Sequence, residues 1–305
     1  MVKKDLIIYI DSSGPNVFFD NIEETIKTIS ENIINCDYQF YFSVDSENTK
    51  EFLVNYFGKS NKLLAVRQSE DSWAKNFNKF FKENHSKTTS LLISHDDIIL
   101  NSKIDYKKIY ENFLKHEKTG WLTFTNDKYY KVNKIPVANS VREGFHKDRK
   151  NSPRVHECHK FSVNESIKIK KLDFPKRAVK CHGVYSHFNM ISVKSLKLIG
   201  DCADWTKYTM FIDEDWSLEA LKNNLWNVWL PNVFYTHPNP KNVLKRKGDL
   251  RYLKEATNKF YKKWGFDPTV NEYDEKTVES IRSRYAKTNI PWSSYRNSYE
   301  WEYYG

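Results

Sequence analysis

Residues 91–97 read Leu-Leu-Ile-Ser-His-Asp-Asp, an apolar run followed by Ser-His and then by two adjacent acids. Short apolar runs bounded by polar residues predict buried strands, and this chain repeats the pattern with amphipathic helical periods between the runs. The predicted strands cover 6–10, 38–44, 63–66 and 91–93, and the predicted helices begin near Asp20 and cover 47–57 and 71–84. This β-α-β-α-β-α-β alternation predicts an α/β fold with a mainly parallel central sheet flanked by helices.

Acids follow three of the predicted strands directly. Asp11 follows the first strand, Asp45 the second, and Asp96 with Asp97 the fourth. The carboxyl ends of parallel strands share one edge of the sheet, where such folds bind ligands. Adjacent carboxylates repel one another unless a cation lies near, and Mg²⁺ or Mn²⁺ takes carboxylate oxygens together with substrate phosphates. A turn with helix-capping aspartates explains Asp96-Asp97 equally well, so both interpretations stay open at this point.

A second acidic cluster, Asp213-Glu214-Asp215, stands just before a helical period that begins at Trp216. Acids favour the N-terminus of a helix, which explains one or two of them, but three in succession repel one another. His237 follows a predicted strand over 228–235. A lone histidine is usually structural, so His237 is a candidate site residue only because it follows the two acidic clusters in the chain.

Composition limits the class of protein. The 305 residues carry a formal charge of +10, with 39% hydrophobic and 15% aromatic residues, which suits one large domain with a substantial core. The basic balance favours anionic partners such as phosphorylated ligands, but the lysines are spread along the chain, so nucleic acid is not an expected partner. The four cysteines are widely spaced, and no apolar stretch is long enough to span a membrane. We expect a cytoplasmic protein, and contact with a membrane surface stays open.

These motifs, in this order, resemble the GT-A fold glycosyltransferases, particularly the family 2-like group. The similarity covers most of residues 5–265. The matching segments are Ile-Tyr-Ile-Asp11, Phe-Ser-Val-Asp45, Ser-His-Asp96-Asp97, Asp213-Glu214-Asp215-Trp216, His237 and Phe260-Tyr-Lys-Lys-Trp264-Gly265. The resemblance implies a catalytic domain over 1–240 with an acceptor-side insertion at about 126–190. A helical extension over 241–305 is expected to pack on it.

The resemblance also implies a donor site. Asp45 would contact the nucleotide base, with Asp11 beside the nucleotide. Asp97 and His237 would bind Mn²⁺ or Mg²⁺, and Asp96 would contact the donor as the other acid of the DxD-like element. The choice between Asp96 and Asp97 as metal ligand stays open, because His95 or Ser94 replaces the first acid of that element.

The implied reaction moves a sugar from a nucleotide sugar, a UDP-sugar by expectation, to a hydroxyl of a glycan or of a lipid- or protein-linked acceptor. Asp215 matches the base that deprotonates this hydroxyl, and Glu214 lies beside it. The displacement would invert the anomeric centre of the sugar. Asp213 and Glu214 remain rivals for the role of base, since neighbouring side chains could face either way.

Three alternative interpretations have less support from the residues. A sugar nucleotidyltransferase needs a glycine-rich loop after the first strand, and the loop here has one glycine. A degenerate, non-catalytic protein that binds nucleotide sugars or glycans would be expected to have lost the acids. A structural zinc site is less favoured than ordinary loop residues, because the spacing fits no common finger. Its candidate ligands are His156, Cys158, His159, Cys181 and His182.

Overall fold

The structure is a computed structural model that describes residues 3–12, 19–126, 141–143, 156–157, 177–181, 183–184, 188–206, 211–237, 249–264 and 301–302. Its strands are β1 Lys4–Ser12, β2 Ile33–Ile34, β3 Tyr38–Val44, β4 Leu63–Gln68, β5 Thr88–His95, β6 Ile99–Leu100, β7 Ile104–Asp105, β8 Thr119–Asn126, β9 Val141–Glu143, β10 His156–Glu157, β11 Arg177–Cys181, β12 Gly183–Val184, β13 Phe188–Ser192, β14 Trp226–Thr236 and β15 Trp301–Glu302. Its helices are α1 Phe19–Asn32, α2 Glu47–Phe57, α3 Trp73–Asn84, α4 Tyr106–Ile109, α5 Val193–Ile199, α6 Ile212–Lys222 and α7 Asp249–Trp264.

One large mixed sheet organises the described residues. Its strand order is β15-β11-β14-β8-β13-β5-β1-β3-β4, and β6 pairs with β14. The pairs β5–β1, β1–β3 and β3–β4 are parallel, as is β8–β14. Only β13 runs against its neighbours in the middle of the sheet, where it joins β5 to β8. The predicted α/β fold with a mainly parallel sheet is confirmed.

Apolar residues fill both faces of the sheet, as the long apolar runs of its central strands require. One core lies under α1 and α2 and the other under α3, α5 and α6. On β5, Leu92 belongs to the first core, whereas Leu91 and Ile93 belong to the second. Side chains alternate along a strand, so His95 lies on the same face of the sheet as Leu91 and Ile93, at the carboxyl edge.

Helix starts are fixed by local hydrogen bonds just past the carboxyl edge. The Ser46 and Ser72 hydroxyls accept hydrogen bonds from the backbone N–H groups of Thr49 and Lys75, which cap α2 and α3. The predicted helix over 47–57 and the predicted strand over 38–44 have the bounds found in the structure.

Several predicted bounds were wrong. Helix α6 begins at Ile212 rather than Trp216, so all three acids of the second cluster lie in its first turn, where they interact favourably with the helix dipole. Helix α1 begins at Phe19, one residue before the expected start near Asp20. Helix α4 is short and is followed directly by a π-helical turn over Tyr110–Leu114.

The predicted insertion lies mostly outside the described residues. The part of 126–190 that the structure describes consists of short strands, and β9, β10 and β12 pair in a separate three-stranded sheet. None of the helices in the described residues combines the length and the apolar character that a membrane span requires.

Candidate functional site

Three side chains with metal-binding atoms converge at the carboxyl edge of the sheet. His95 ends β5, Asp97 lies in the turn after it, and His237 follows the last residue of β14. Each residue offers one ligand atom, and these atoms all lie within 4.8 Å of one another. His237 Nε2 is 3.1 Å from Asp97 Oδ1, and the two imidazole ring centroids are 5.2 Å apart. We call these three residues the His-Asp-His cluster.

The protonation states of the cluster suit a divalent cation. Burial lowers the pKa of His95 to about 4, with a further contribution from His237, so His95 is neutral at neutral pH. Burial alone would raise the pKa of Asp97, but its hydrogen bond and charge interaction with His237 hold that pKa below its ordinary value. A neutral imidazole and an ionised carboxylate are the forms that ligate metals, so the described residues fit a divalent metal ion.

Asp96 points away from the cluster. Its Oδ2 accepts a hydrogen bond of 2.7 Å from the Ser12 hydroxyl, and its backbone carbonyl accepts one of 2.9 Å from the Thr25 hydroxyl. Burial raises the pKa of Asp96 to about 6. Of the two adjacent acids, the structure therefore places Asp97, and not Asp96, with the two histidines.

Asp11 and Asp45 lie along the same edge of the sheet. Asp11 on β1 is in register with His95 on β5 and with Ser43 on β3, and Asp45 follows β3 directly. Strands in a sheet are about 4.8 Å apart, so Asp45 lies roughly 10 Å from the end of β5. A ligand that spans Asp45 and the His-Asp-His cluster would therefore be extended along this edge.

The three acids of α6 have different surroundings. Asp215 is fully buried, and its Oδ1 is 2.7 Å from Lys263 Nζ and accepts a 2.7 Å hydrogen bond from the Trp264 indole. Glu214 is 5% exposed. Asp213 is half-buried and lines a small cavity on the second-core face of the sheet. Asp215 therefore ties α6 to α7, and Asp213 is the most exposed of the three acids.

Sequence reasoning missed two functional candidates. In the family resemblance His95 only replaces the first acid of the DxD-like element, although a histidine two residues before Asp97 shares its side of an extended chain, and this spacing is the signal for a second ligand. Lys263 lies in an apolar and basic helix, and nothing local in the sequence indicates its pairing with Asp215. The zinc hypothesis falls outside the described residues, since Cys158, His159 and His182 are not among them and the structure describes only the backbone of His156 and Cys181.

Replacing Lys263 by Met is expected to lower the free energy of unfolding by about 2–3 kcal/mol at neutral pH, because it leaves a buried carboxylate without its cation. The Lys263 side chain is 34% exposed, so solvent screening keeps the loss below that of a fully buried pair. Burial already raises the pKa of Asp215, and Lys263 counteracts that rise. Without Lys263 the pKa of Asp215 should rise further.

The pH dependence of this loss follows from the sign of the shift. A carboxyl group whose pKa is higher in the folded than in the unfolded state destabilises the fold as the pH rises through that interval. Urea unfolding should therefore show a smaller defect for Lys263→Met at about pH 5 than at about pH 8. Lys262→Met is the matched control, since Lys262 is exposed on the same helix. An equal loss in both variants would contradict the ion-pair explanation.

Comparison with known proteins supports the fold. No protein-family profile matches the chain, and no curated protein matches its sequence. Among solved structures, the chain is similar to a mannosyltransferase from Pyrobaculum calidifontis in complex with GDP-Man and Mn²⁺, with a TM-score of 0.52 and 11% identity over 94% of this chain and 70% of that one. It is also similar to GalNAc-T7 with UDP, GalNAc and Mn²⁺, with a TM-score of 0.53 and 10% identity over 93% of this chain and 55% of that one. The chain has the GT-A glycosyltransferase fold.

Proposed function

We propose that this chain is a metal-dependent glycosyltransferase that moves a sugar from a nucleotide sugar, a UDP-sugar in our proposal, to a hydroxyl of a glycan or glycoconjugate. The observation that carries the proposal is the His-Asp-His cluster at the carboxyl edge of a GT-A sheet. Both of the similar structures named above were solved with Mn²⁺ and a nucleotide or nucleotide sugar, which supports a donor of this class.

In this proposal, His95, Asp97 and His237 hold the divalent ion. A bound cation would neutralise the negative charge that develops on the leaving diphosphate. Magnesium prefers all-oxygen sites, so two imidazole ligands favour Mn²⁺ as the ion. Asp11, in register with His95, lies between the cluster and Asp45 and would contact the nucleotide.

The base that activates the acceptor is assigned to the first turn of α6. The family resemblance points to Asp215, with Glu214 beside it, but Asp215 is engaged by Lys263 and fully buried. We propose Asp213 as the base, because it is half-buried and lines the cavity. A carboxylate at this position can take the proton of an acceptor hydroxyl held within hydrogen-bond distance. Direct displacement from the face opposite the leaving diphosphate would invert the anomeric centre.

The nucleotide pocket gives a separate prediction. Asp45→Ala is expected to weaken UDP binding about tenfold, because the carboxylate would accept hydrogen bonds from the base and such bonds typically contribute about 1.5 kcal/mol. Asp45 is half-buried and follows β3, so the variant should stay folded. Titration calorimetry with UDP and Mn²⁺ measures the change. Unchanged affinity would remove Asp45 from the pocket.

A donor screen tests the proposed function as a whole. The protein is incubated with Mn²⁺ and a panel of UDP- and GDP-sugars, and release of the free nucleoside diphosphate is measured. We expect slow hydrolysis of at least one donor, which an acceptor glycan accelerates. Binding of a nucleotide sugar without turnover under any acceptor condition would instead favour a degenerate binding protein of the same fold.

The proposed enzyme has a simple organisation. Residues 1–240 would form the catalytic domain, with 126–190 as the acceptor-side insertion and 241–305 as an extension. Helix α7 of that extension buries Ala256 and Phe260 and contacts Asp215. The apolar side of α7 is therefore used in packing. Flotation with anionic liposomes tests whether α7 also contacts an anionic membrane that carries an acceptor.

A further inference from the structure

The segment 96–101 links two members of the His-Asp-His cluster, and we call it the bridge segment. It begins directly after β5, carries Asp97 and contains β6. Strand β6 pairs with the last two residues of β14, and His237 follows those residues directly. At the end of the bridge segment, the Asn101 side-chain amide donates a 2.8 Å hydrogen bond to the Thr236 hydroxyl. One short stretch of chain therefore carries Asp97 and is joined to the strand that delivers His237.

Helix α1 holds the bridge segment at both of its ends through polar side chains. The Thr25 hydroxyl donates a 2.9 Å hydrogen bond to the carbonyl of the residue before Asp97. The Thr28 hydroxyl accepts a 3.2 Å hydrogen bond from the backbone N–H of Leu100, and the Asn32 amide donates one of 2.9 Å to the Leu100 carbonyl. We call Thr25, Thr28 and Asn32 the α1 ladder.

The position of Thr25 on its helix shows what its hydroxyl is for. Thr25 is fully buried and shares the core-facing side of α1 with Ile22 and Ile26. A valine would fill the same space, and a buried hydroxyl is costly unless it is hydrogen-bonded. The bond to the carbonyl before Asp97 offsets that cost. The hydroxyl therefore serves this contact and is not required for packing.

Asp96 supplies a second brace beside the first. Ser12, the last residue of β1, is fully buried, and its hydroxyl donates a 2.7 Å hydrogen bond to Asp96 Oδ2. The Asp96 carbonyl is held by α1 and its side chain by β1, so the peptide that leads into Asp97 is fixed from two directions. Within this arrangement Asp97 Oδ1 lies 3.1 Å from His237 Nε2.

We propose that Thr25 is a positioning residue of the metal centre, an inference that rests on the proposed function. Its hydrogen bond fixes the peptide before Asp97, so the carboxylate is oriented toward the two histidines in advance of the cation. A ligand that is already oriented loses less conformational freedom when the ion binds, which increases the affinity. Thr28 and Asn32 hold the far end of the bridge segment in the same geometry.

The test measures Mn²⁺ binding by the full chain and does not depend on sugar transfer. Mn²⁺ is titrated without nucleotide, and the electron paramagnetic resonance signal of free Mn²⁺ gives the bound fraction. Thr25→Val keeps the branched shape but removes the hydroxyl, and we expect its dissociation constant for Mn²⁺ to rise about tenfold, the lower end of the usual effect of removing a contact that orients a metal ligand. Thr25→Ser retains the hydroxyl and should restore most of the parent affinity.

Thr88→Val is the matched control. Thr88 is also fully buried, and its hydroxyl donates a 2.9 Å hydrogen bond to the Ser90 carbonyl. It is the first residue of β5, at the opposite end of the strand from His95. Thr88→Val should therefore lower the thermal unfolding midpoint to an extent comparable with Thr25→Val while keeping the parent affinity for Mn²⁺. An equal loss of Mn²⁺ affinity in both variants would reduce the effect of Thr25 to general destabilisation and overturn the proposal.

The failure of this inference is distinguishable from failure of the proposed function. Parent affinity for Mn²⁺ in Thr25→Val, with binding that Asp97→Asn weakens, would overturn the positioning role and leave the metal site and the glycosyltransferase proposal standing. Absence of Mn²⁺ binding by the parent chain, with and without UDP, would count against the His-Asp-His cluster as a metal site. The proposed function would then lose its main support, and the positioning role would fall with it.

Discussion

Asp97→Asn is expected to lower sugar transfer about a hundred- to thousandfold, because metal-ion charge stabilisation is worth several kcal/mol in such sites. Asp97 is the only carboxylate in the His-Asp-His cluster, and its replacement removes the negative charge that attracts the cation. The amide keeps the size of the side chain, so the turn after β5 should persist. Steady-state transfer rates at several Mn²⁺ concentrations measure the loss. High Mn²⁺ should restore part of the activity, because both histidines remain.

Asp37→Asn is the matched control for this substitution. Asp37 is exposed at the opposite edge of the sheet, where it pairs with Lys4 at 2.9 Å. A surface ion pair of this kind contributes little to stability, so transfer should continue at the parent rate. If Asp97→Asn also kept the parent rate and the parent response to Mn²⁺, the cluster would not be the metal site.

Asp213→Asn is expected to lower turnover about a hundred- to ten-thousandfold, the usual effect of removing a general base. Donor binding should survive, because the proposed metal ligands and nucleotide contacts lie on other elements. A fall in kcat with an unchanged donor dissociation constant would fit a group that acts on the acceptor proton. Single-turnover transfer with saturating donor separates this step from product release.

Asp215→Asn and Glu214→Gln complete the comparison within the same turn of helix. Asp215→Asn weakens the ion pair with Lys263, so its main effect should be on unfolding rather than on turnover of the folded fraction. If folded Asp215→Asn lost turnover while Asp213→Asn kept the parent rate, the base would be Asp215, as the family resemblance implies. Loss only in Glu214→Gln would assign the role to Glu214.

The sequence predicted the parts of the fold that depend on local pattern. The strand over 38–44 and the helix over 47–57 are bounded by strong signals, a continuous apolar run and a capping serine, Ser46. The acids at the strand ends were also predictable, since strand direction alone brings Asp11, Asp45 and Asp97 to one edge. These features require no knowledge of contacts between distant segments.

The details of the site depend on tertiary contacts and could not be predicted in the same way. His237 lies beside Asp97 only because β14 runs parallel to β8 and its last residues, Tyr235 and Thr236, pair with β6, which follows Asp97 in the chain. The contrast between Asp213 and Asp215 depends on Lys263 and Trp264 of α7, which are distant in sequence. Helix α6 begins at Ile212, before the helical period that starts at Trp216, because a first turn made of acids adds no apolar period of its own.

Anomalous diffraction from crystals of the full chain grown with Mn²⁺ and UDP tests directly whether the His-Asp-His cluster is the metal site of a nucleotide-sugar enzyme. We expect one manganese peak within coordination distance of His95, Asp97 and His237, with the UDP phosphates on its open side and the uracil toward Asp45. A manganese peak at another position with UDP bound, or UDP bound with no metal beside the His-Asp-His cluster, would contradict it.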